Sequence, residues 1–102
     1  MITLAPSEML DAHYIEKLGD EIYHHVKTIE APRLVIDLEN VRHMSSAALG
    51  MLIALKKVTD RQGGRICLAN VRDDLVQVFK LTKLHKVLKI HGSIDKAVKS
   101  LT

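Results

Sequence analysis

The spacing of apolar residues changes several times along the chain, and each change marks an element. Met1 to Leu4 is a short apolar run closed by Ala5-Pro6-Ser7, which predicts a short strand. From about Asp11 to Thr28 the period becomes helical, with Ile15, Leu18, Ile22, Val26 and Ile29 on one face and Asp11 placed to cap the start. Glu30-Ala31-Pro32 closes that helix, because Pro32 cannot extend it and disfavours helix at Ala31. Leu34-Val35-Ile36-Asp37-Leu38 is nearly all apolar and β-branched, the pattern of a strand covered on both faces.

A turn around Glu39-Asn40-Val41 leads to Ser45-Ser46 and a second helix reaching about Asp60, with Ala48, Met51, Leu52, Leu55 and Val58 on one face. Gln62-Gly63-Gly64 stops it. Arg65 to Ala69 reads as the next strand, ended by Asn70, and Val71 to Leu81 as a third helix with Leu75, Val78 and Phe79 inward. A strand over Val87 to Ile90 and a helix from Ser93 to Leu101, with Ser93 as N-cap, complete the chain. Strands alternating with helices predict βαβ crossovers, hence an α/β domain with a small, mostly parallel or mixed sheet and about four helices.

The 102 residues suit one domain, 1–102. Hydrophobic residues at 47% and charged residues at 26% fit a folded globular chain. A single cysteine, Cys67, excludes a disulfide framework and a cysteine zinc knuckle, and its place in a strand suits a buried, inert thiol. Charged or histidine residues interrupt every apolar run short of the roughly 20 residues that span a bilayer. Met1 to Leu10 lacks the basic and apolar regions of a signal peptide, so a cytoplasmic protein is expected. The net charge of +3 is spread along the chain, densest where Lys80, Lys83, Lys86 and Lys89 alternate with Leu81, Leu84, Val87 and Leu88 to make a basic edge. Only Tyr14, Tyr23 and Phe79 are aromatic, too few to stack on single-stranded nucleic acid, and no nucleic-acid partner is expected.

The chemistry concentrates in Leu34 to Leu55, LVIDLENVRHMSSAALGMLIAL: a buried strand, a tight connection, two hydroxyls at a helix N-terminus, then small residues and an apolar helix. This stretch resembles the STAS domain (sulfate transporter and anti-sigma factor antagonist), in which a strand and an Asp-Ser-Ser/Thr-Gly-Leu-Gly loop enter the second helix. The resemblance extends through Gly63-Gly64, the strand Ile66 to Val71, Val78-Phe79-Lys80-Leu81 and Leu84 to Ile90. It is strongest to the stand-alone bacterial anti-anti-sigma proteins. By that resemblance Ser46 takes the place of the phosphorylated serine, Ala47 that of the following Ser/Thr, and Leu49-Gly50 that of the Leu-Gly pair. Two positions depart from the pattern: Ser45 replaces the preceding Asp, and Ala48 replaces the first Gly. Loss of the carboxylate is expected to weaken kinase recognition or to move phosphorylation to Ser45. The family usually has a further strand before the one read at Met1 to Leu4, and an uncovered sheet edge there invites pairing as a homodimer.

The resemblance implies a non-enzymatic interaction module without cofactor. It would bind an anti-sigma factor or similar serine kinase when unphosphorylated and release it on phosphorylation of Ser46, and a metal-dependent serine phosphatase would reverse the switch. A phosphate carries about −1.5 to −2 charges and is tolerated at a helix N-terminus. The docking face is expected to comprise Arg42, His43, Met44, Ser45, Ser46, Ala47, Ala48 and Met51.

Plainer readings stand beside these. Ser45 and Ser46 also suit a helix cap with no regulation, Met44 and Met51 suit core packing, and adjacent His24 and His25 point about 100° apart, which builds no metal site. Asp37 resembles the phosphorylated Asp of a receiver domain, but Leu38 follows it within the strand and no acidic pair ends the first strand. A STAS scaffold that is never phosphorylated, in a stressosome-like or lipid-transport complex, is the alternative that Ser45 favours. An enzyme would need a convergent set of groups, and His43 with Ser46 three residues away does not supply one.

Overall fold

The computed structural model describes residues 2–4 and 12–101. Asp11, Met1 and the Ala5-Pro6-Ser7 stop lie outside the described residues. Four strands, β1 (Ile2–Leu4), β2 (Arg33–Asp37), β3 (Arg65–Ala69) and β4 (Lys89–His91), form one sheet in the order β1-β2-β3-β4. The pairings between these four strands are all parallel, with Ile2 opposite Leu34, Leu34 opposite Ile66 and Leu68 opposite Ile90, so the sheet they form is parallel rather than mixed.

The connections are α1 (Ala12–Val26), α2 (Ser46–Arg61) and α3 (Asp73–Leu81), and α4 (Ile94–Leu101) follows β4. Parallel crossovers are right-handed, and a strand order that steps always one way puts all three connecting helices on the same face. Strand periodicity divides the side chains accordingly. Leu34, Ile36, Ile66 and Leu68 face the large core with Ile15, Ile22, Val26, Leu52, Leu55, Leu75 and Phe79. Val35, Cys67 and Ala69 face the other way, against Ile94, Ala97, Val98 and Leu101 at helical spacing on α4. Burial on both faces is why β2 and β3 read as continuous apolar runs.

Three boundaries differ from the sequence reading by two residues, while β2 is shifted by one. Helix α1 ends at Val26, and residues 27–31 turn into Pro32, with Ala31 at φ 50°. Helix α3 begins at Asp73, where Asp73 and Asp74 complement the dipole of its first turn. The strand expected over Val87 to Ile90 is shifted to Lys89–His91, because Leu84–Lys86 forms a single 3-10 turn entered through Lys83 at φ 62°. Val87 and Leu88 donate to the carbonyl of Leu84 at 3.0 and 2.8 Å, which uses their N–H groups before the sheet can.

Candidate functional site

The loop from β2 to α2 is shaped by polar contacts at the carboxyl ends of the strands. Asp37, the last residue of β2, is buried, and its Oδ1 accepts from the Glu39 N–H at 3.0 Å and from Asn70 Nδ2 at 3.2 Å. Arg72 Nε donates to the Glu39 carbonyl at 3.2 Å, fastening the β3–α3 loop to the β2–α2 loop. Val41 turns inward and is fully buried, anchoring the middle of the segment.

The two serines then divide the helix start between them. Ser45 is extended, at φ −78° and ψ 167°, and its Oγ accepts from the Ala48 N–H at 3.2 Å, which makes it the N-cap. Its carbonyl takes the first helical bond, from the Leu49 N–H at 3.1 Å. Ser46 is the first helical residue and is exposed, with no hydrogen bond to its hydroxyl among the described residues. A group carried on Ser46 would sit at the positive end of a 16-residue helix, beside N–H groups that have no acceptor within it.

The other expected surface residues separate by burial. Arg42, His43 and Ala47 are exposed, and Met44 is half-buried against the core. Ala48 is fully buried, so its part is to close the cap from inside rather than to form surface. Met51 is half-buried and lies over α1, where a Cβ added to Gly19 would come within 3.1 Å of Met51 Cγ. This close approach leaves a groove of about 470 Å³ between α1 and α2, lined by Ile15, Tyr23, Ala47, Met51 and Val58, with Glu16 and Asp20 on its rim. The sequence reading missed the groove. Its signal was Gly19, a residue without a side chain one turn beyond Ile15 and one before Tyr23 on α1.

No hydrogen bond joins His43 to Ser46 among the described residues, and none of these gather into a set of three or more His, Cys, Asp or Glu suited to a metal ion. His24 and His25 are exposed, and His24 stacks edge-on against Tyr23. Asp37 is committed to the loop contacts just described, unlike the free carboxylate of a receiver domain. No described helix is long and apolar enough to cross a membrane.

A one-directional parallel sheet with three helices on one face, one on the other, and a capped serine pair leading α2 defines a small α/β module. The chain belongs to the STAS domain family, whose profile matches residues 1–97. It is 23% identical over 93 residues to the anti-sigma F factor antagonist of Paenibacillus polymyxa, covering 91% of this chain and 77% of that protein. It is 31% identical over 65 residues to the anti-sigma-B factor antagonist of Bacillus subtilis (strain 168), covering 64% of this chain and 60% of that one. Among solved structures, a proposed anti-sigma factor antagonist of Thermotoga maritima superposes with a TM-score of 0.89 at 20% identity, over 97% of this chain and 85% of the other. The STAS domain of a SulP transporter from Vibrio cholerae superposes with a TM-score of 0.80 at 11% identity, over 96% and 77%. At such identities the two structures establish the fold.

Proposed function

We propose that this chain is an anti-sigma factor antagonist: a non-catalytic cytoplasmic module that binds an anti-sigma factor with serine kinase activity and is switched off by phosphorylation of Ser46. The observation that carries the reading is the split between the serines. Ser45 supplies the cap, so Ser46 is free to be modified without cost to the helix. The two relatives named as antagonists of anti-sigma F and anti-sigma-B supply the class of partner.

The docking face in this reading is the exposed Arg42-His43 approach with Ser46 and Ala47, continuing into the groove through Met51. A phosphate there leaves the fold intact, since helix N-termini favour negative charge. It blocks the complex because a dianion buried against a partner must lose its water. A metal-dependent phosphatase would restore binding. One feature favours a constitutive scaffold instead: Ser45 stands where the resemblance calls for Asp, so the carboxylate next to the phosphorylated serine is missing.

The test is capture from a native lysate with wild type beside Ser46→Glu at equal concentration. The retained kinase is then incubated with wild type and ATP, and the product mapped by mass spectrometry. A serine kinase held by wild type, lost with Glu, and placing phosphate on Ser46 is the expected result. Equal retention of one partner by both baits would establish the scaffold reading.

A further inference from the structure

A second opening lies at the far end of α2. Strand β3 begins at Arg65, yet its first partner on β4 is Lys89, opposite Cys67. Beside Arg65 and Ile66 the chain therefore runs through the 3-10 turn and Val87 instead of a strand. This offset opens a cleft of about 720 Å³, whose lining includes Lys56, Asp60, Arg65, Lys86, Lys89 and His91. From Ser46 to Lys56 is ten residues of helix, about 15 Å of rise, so the cleft is separate from the phosphorylation site.

Its charge is one-sided. Among the described residues of its lining, four cationic side chains face a single carboxylate, and that carboxylate is held by Lys56 at 2.7 and 2.8 Å. Arg65, Lys86 and Lys89 have no carboxylate partner among the described residues. Around Lys86 and Lys89 the chain offers none nearby in sequence, since no Asp or Glu occurs between Asp74 and Asp95. Cations gathered around a concave wall focus a positive potential. His91 adds a second observation: its Nε2 is buried without a hydrogen-bond partner among the described residues. Leaving such a nitrogen buried and unpaired is unfavourable, and an acceptor oxygen would offset that cost.

We propose that this cleft binds a phosphate-bearing anion, its phosphate held by the Arg65 guanidinium fork and the Lys86 and Lys89 ammonium groups, with His91 Nε2 as a further donor. Arg matches phosphate oxygens in pairs, while Lys acts as a point charge. The volume lies within the range of small-molecule sites and exceeds what a bare phosphate fills. Half-exposed Val87 offers an apolar wall to the body of the ligand. A free organic phosphate and a lipid headgroup present the same chemistry here. The inference does not depend on Ser46.

The experiment is an amide NMR titration of the full chain with pyrophosphate, alongside sedimentation with phosphatidylglycerol and phosphatidylcholine vesicles. Saturable shifts should centre on Arg65 and on residues 86–91. Arg65→Gln/Lys89→Gln, both exposed positions, should weaken binding about tenfold or more. Lys17→Gln/Lys27→Gln, which removes the same charge from exposed positions on and just after α1, should change it less than about twofold. Pyrophosphate binding without vesicle binding identifies a free ligand. Phosphatidylglycerol binding that the cleft variant loses, without pyrophosphate binding, identifies a headgroup. The proposal is overturned if neither probe binds, if shifts scatter over all lysines, or if both double variants weaken binding equally.

Discussion

Asn70 donates its side-chain amide to Asp37 Oδ1 at 3.2 Å, joining the carboxyl ends of β3 and β2 directly behind the loop that presents Ser46. Asn70 also sits at φ 55°, a left-handed conformation that Asn tolerates better than most residues. Asn70→Ala loses the bond and keeps the strain, so it should cost about 2–3 kcal/mol, while Asn70→Gly loses only the bond and should cost about 1 kcal/mol less. Urea unfolding of the two variants checks the order. Equal costs would mean that the backbone strain is negligible.

The serines should separate in stability as they do in geometry. Ser45→Ala removes the acceptor of the Ala48 N–H and should cost about 1 kcal/mol, whereas Ser46→Ala should stay within about 0.5 kcal/mol of wild type. Ser46→Glu places a carboxylate at the first helical position and should match or slightly raise stability. A large loss in Ser46→Ala would show that Ser46 is structural.

Adjacent glycines after α2 should respond unequally. A Cβ on Gly64 would overlap the carbonyl oxygen of Pro32 and lie 2.7 Å from its nitrogen, where the Arg65 N–H donates to the same Pro32 carbonyl. Gly64→Ala should therefore cost at least about 3 kcal/mol. Gly63 has open space but a φ of +72°, so Gly63→Ala should cost only about 1 kcal/mol. Thermal melts of the pair would show whether steric overlap or conformation governs this junction.

Cys67 sets an alkaline limit on stability. Burial pushes its thiol above the ordinary 9.0, with the Ser100 hydrogen bond pulling more weakly the other way. Below the unfolded value the thiol is neutral in both states and its contribution is complete. As pH rises, the unfolded chain ionises first, so stability falls until the folded pKa is passed. The difference in urea midpoint between wild type and Cys67→Ala should narrow or reverse against wild type from pH 8 to 10.5. Parallel profiles would refute the assignment.

The fold was largely legible because β2 and β3 carry apolar residues on both faces and α2 has clear start and stop residues. Arg65 to Ala69 was placed to the residue, since Gly63-Gly64 and Asn70 bracket it with left-handed positions at Gly63 and Asn70. β4 was misplaced because Val87 and Leu88 look like strand residues, while the 3-10 turn depends on the positive φ of Lys83, which no residue type announces. At the site, the cap and the exposed serine were both foreseen as possibilities for one pair of residues. Which serine takes which role depends on where the chain enters α2, and the Asp37–Asn70 contact that steers it spans 33 residues. The cleft was illegible for a similar reason: it arises from a two-residue offset between strands.

The strand order has a kinetic side. Ile2 and Leu34 pair across 32 residues, Leu34 and Ile66 across another 32, and Leu68 and Ile90 across 22. No strand waits for a later one to be inserted beside it, and the first and last strands never meet. A ribosome releasing this chain delivers the strands in the order in which they pair, so the sheet can be laid down strand by strand as synthesis proceeds. Only α4, which follows β4 in the chain, closes the second face over Val35 and Cys67, and that face stays open to solvent until α4 has been made.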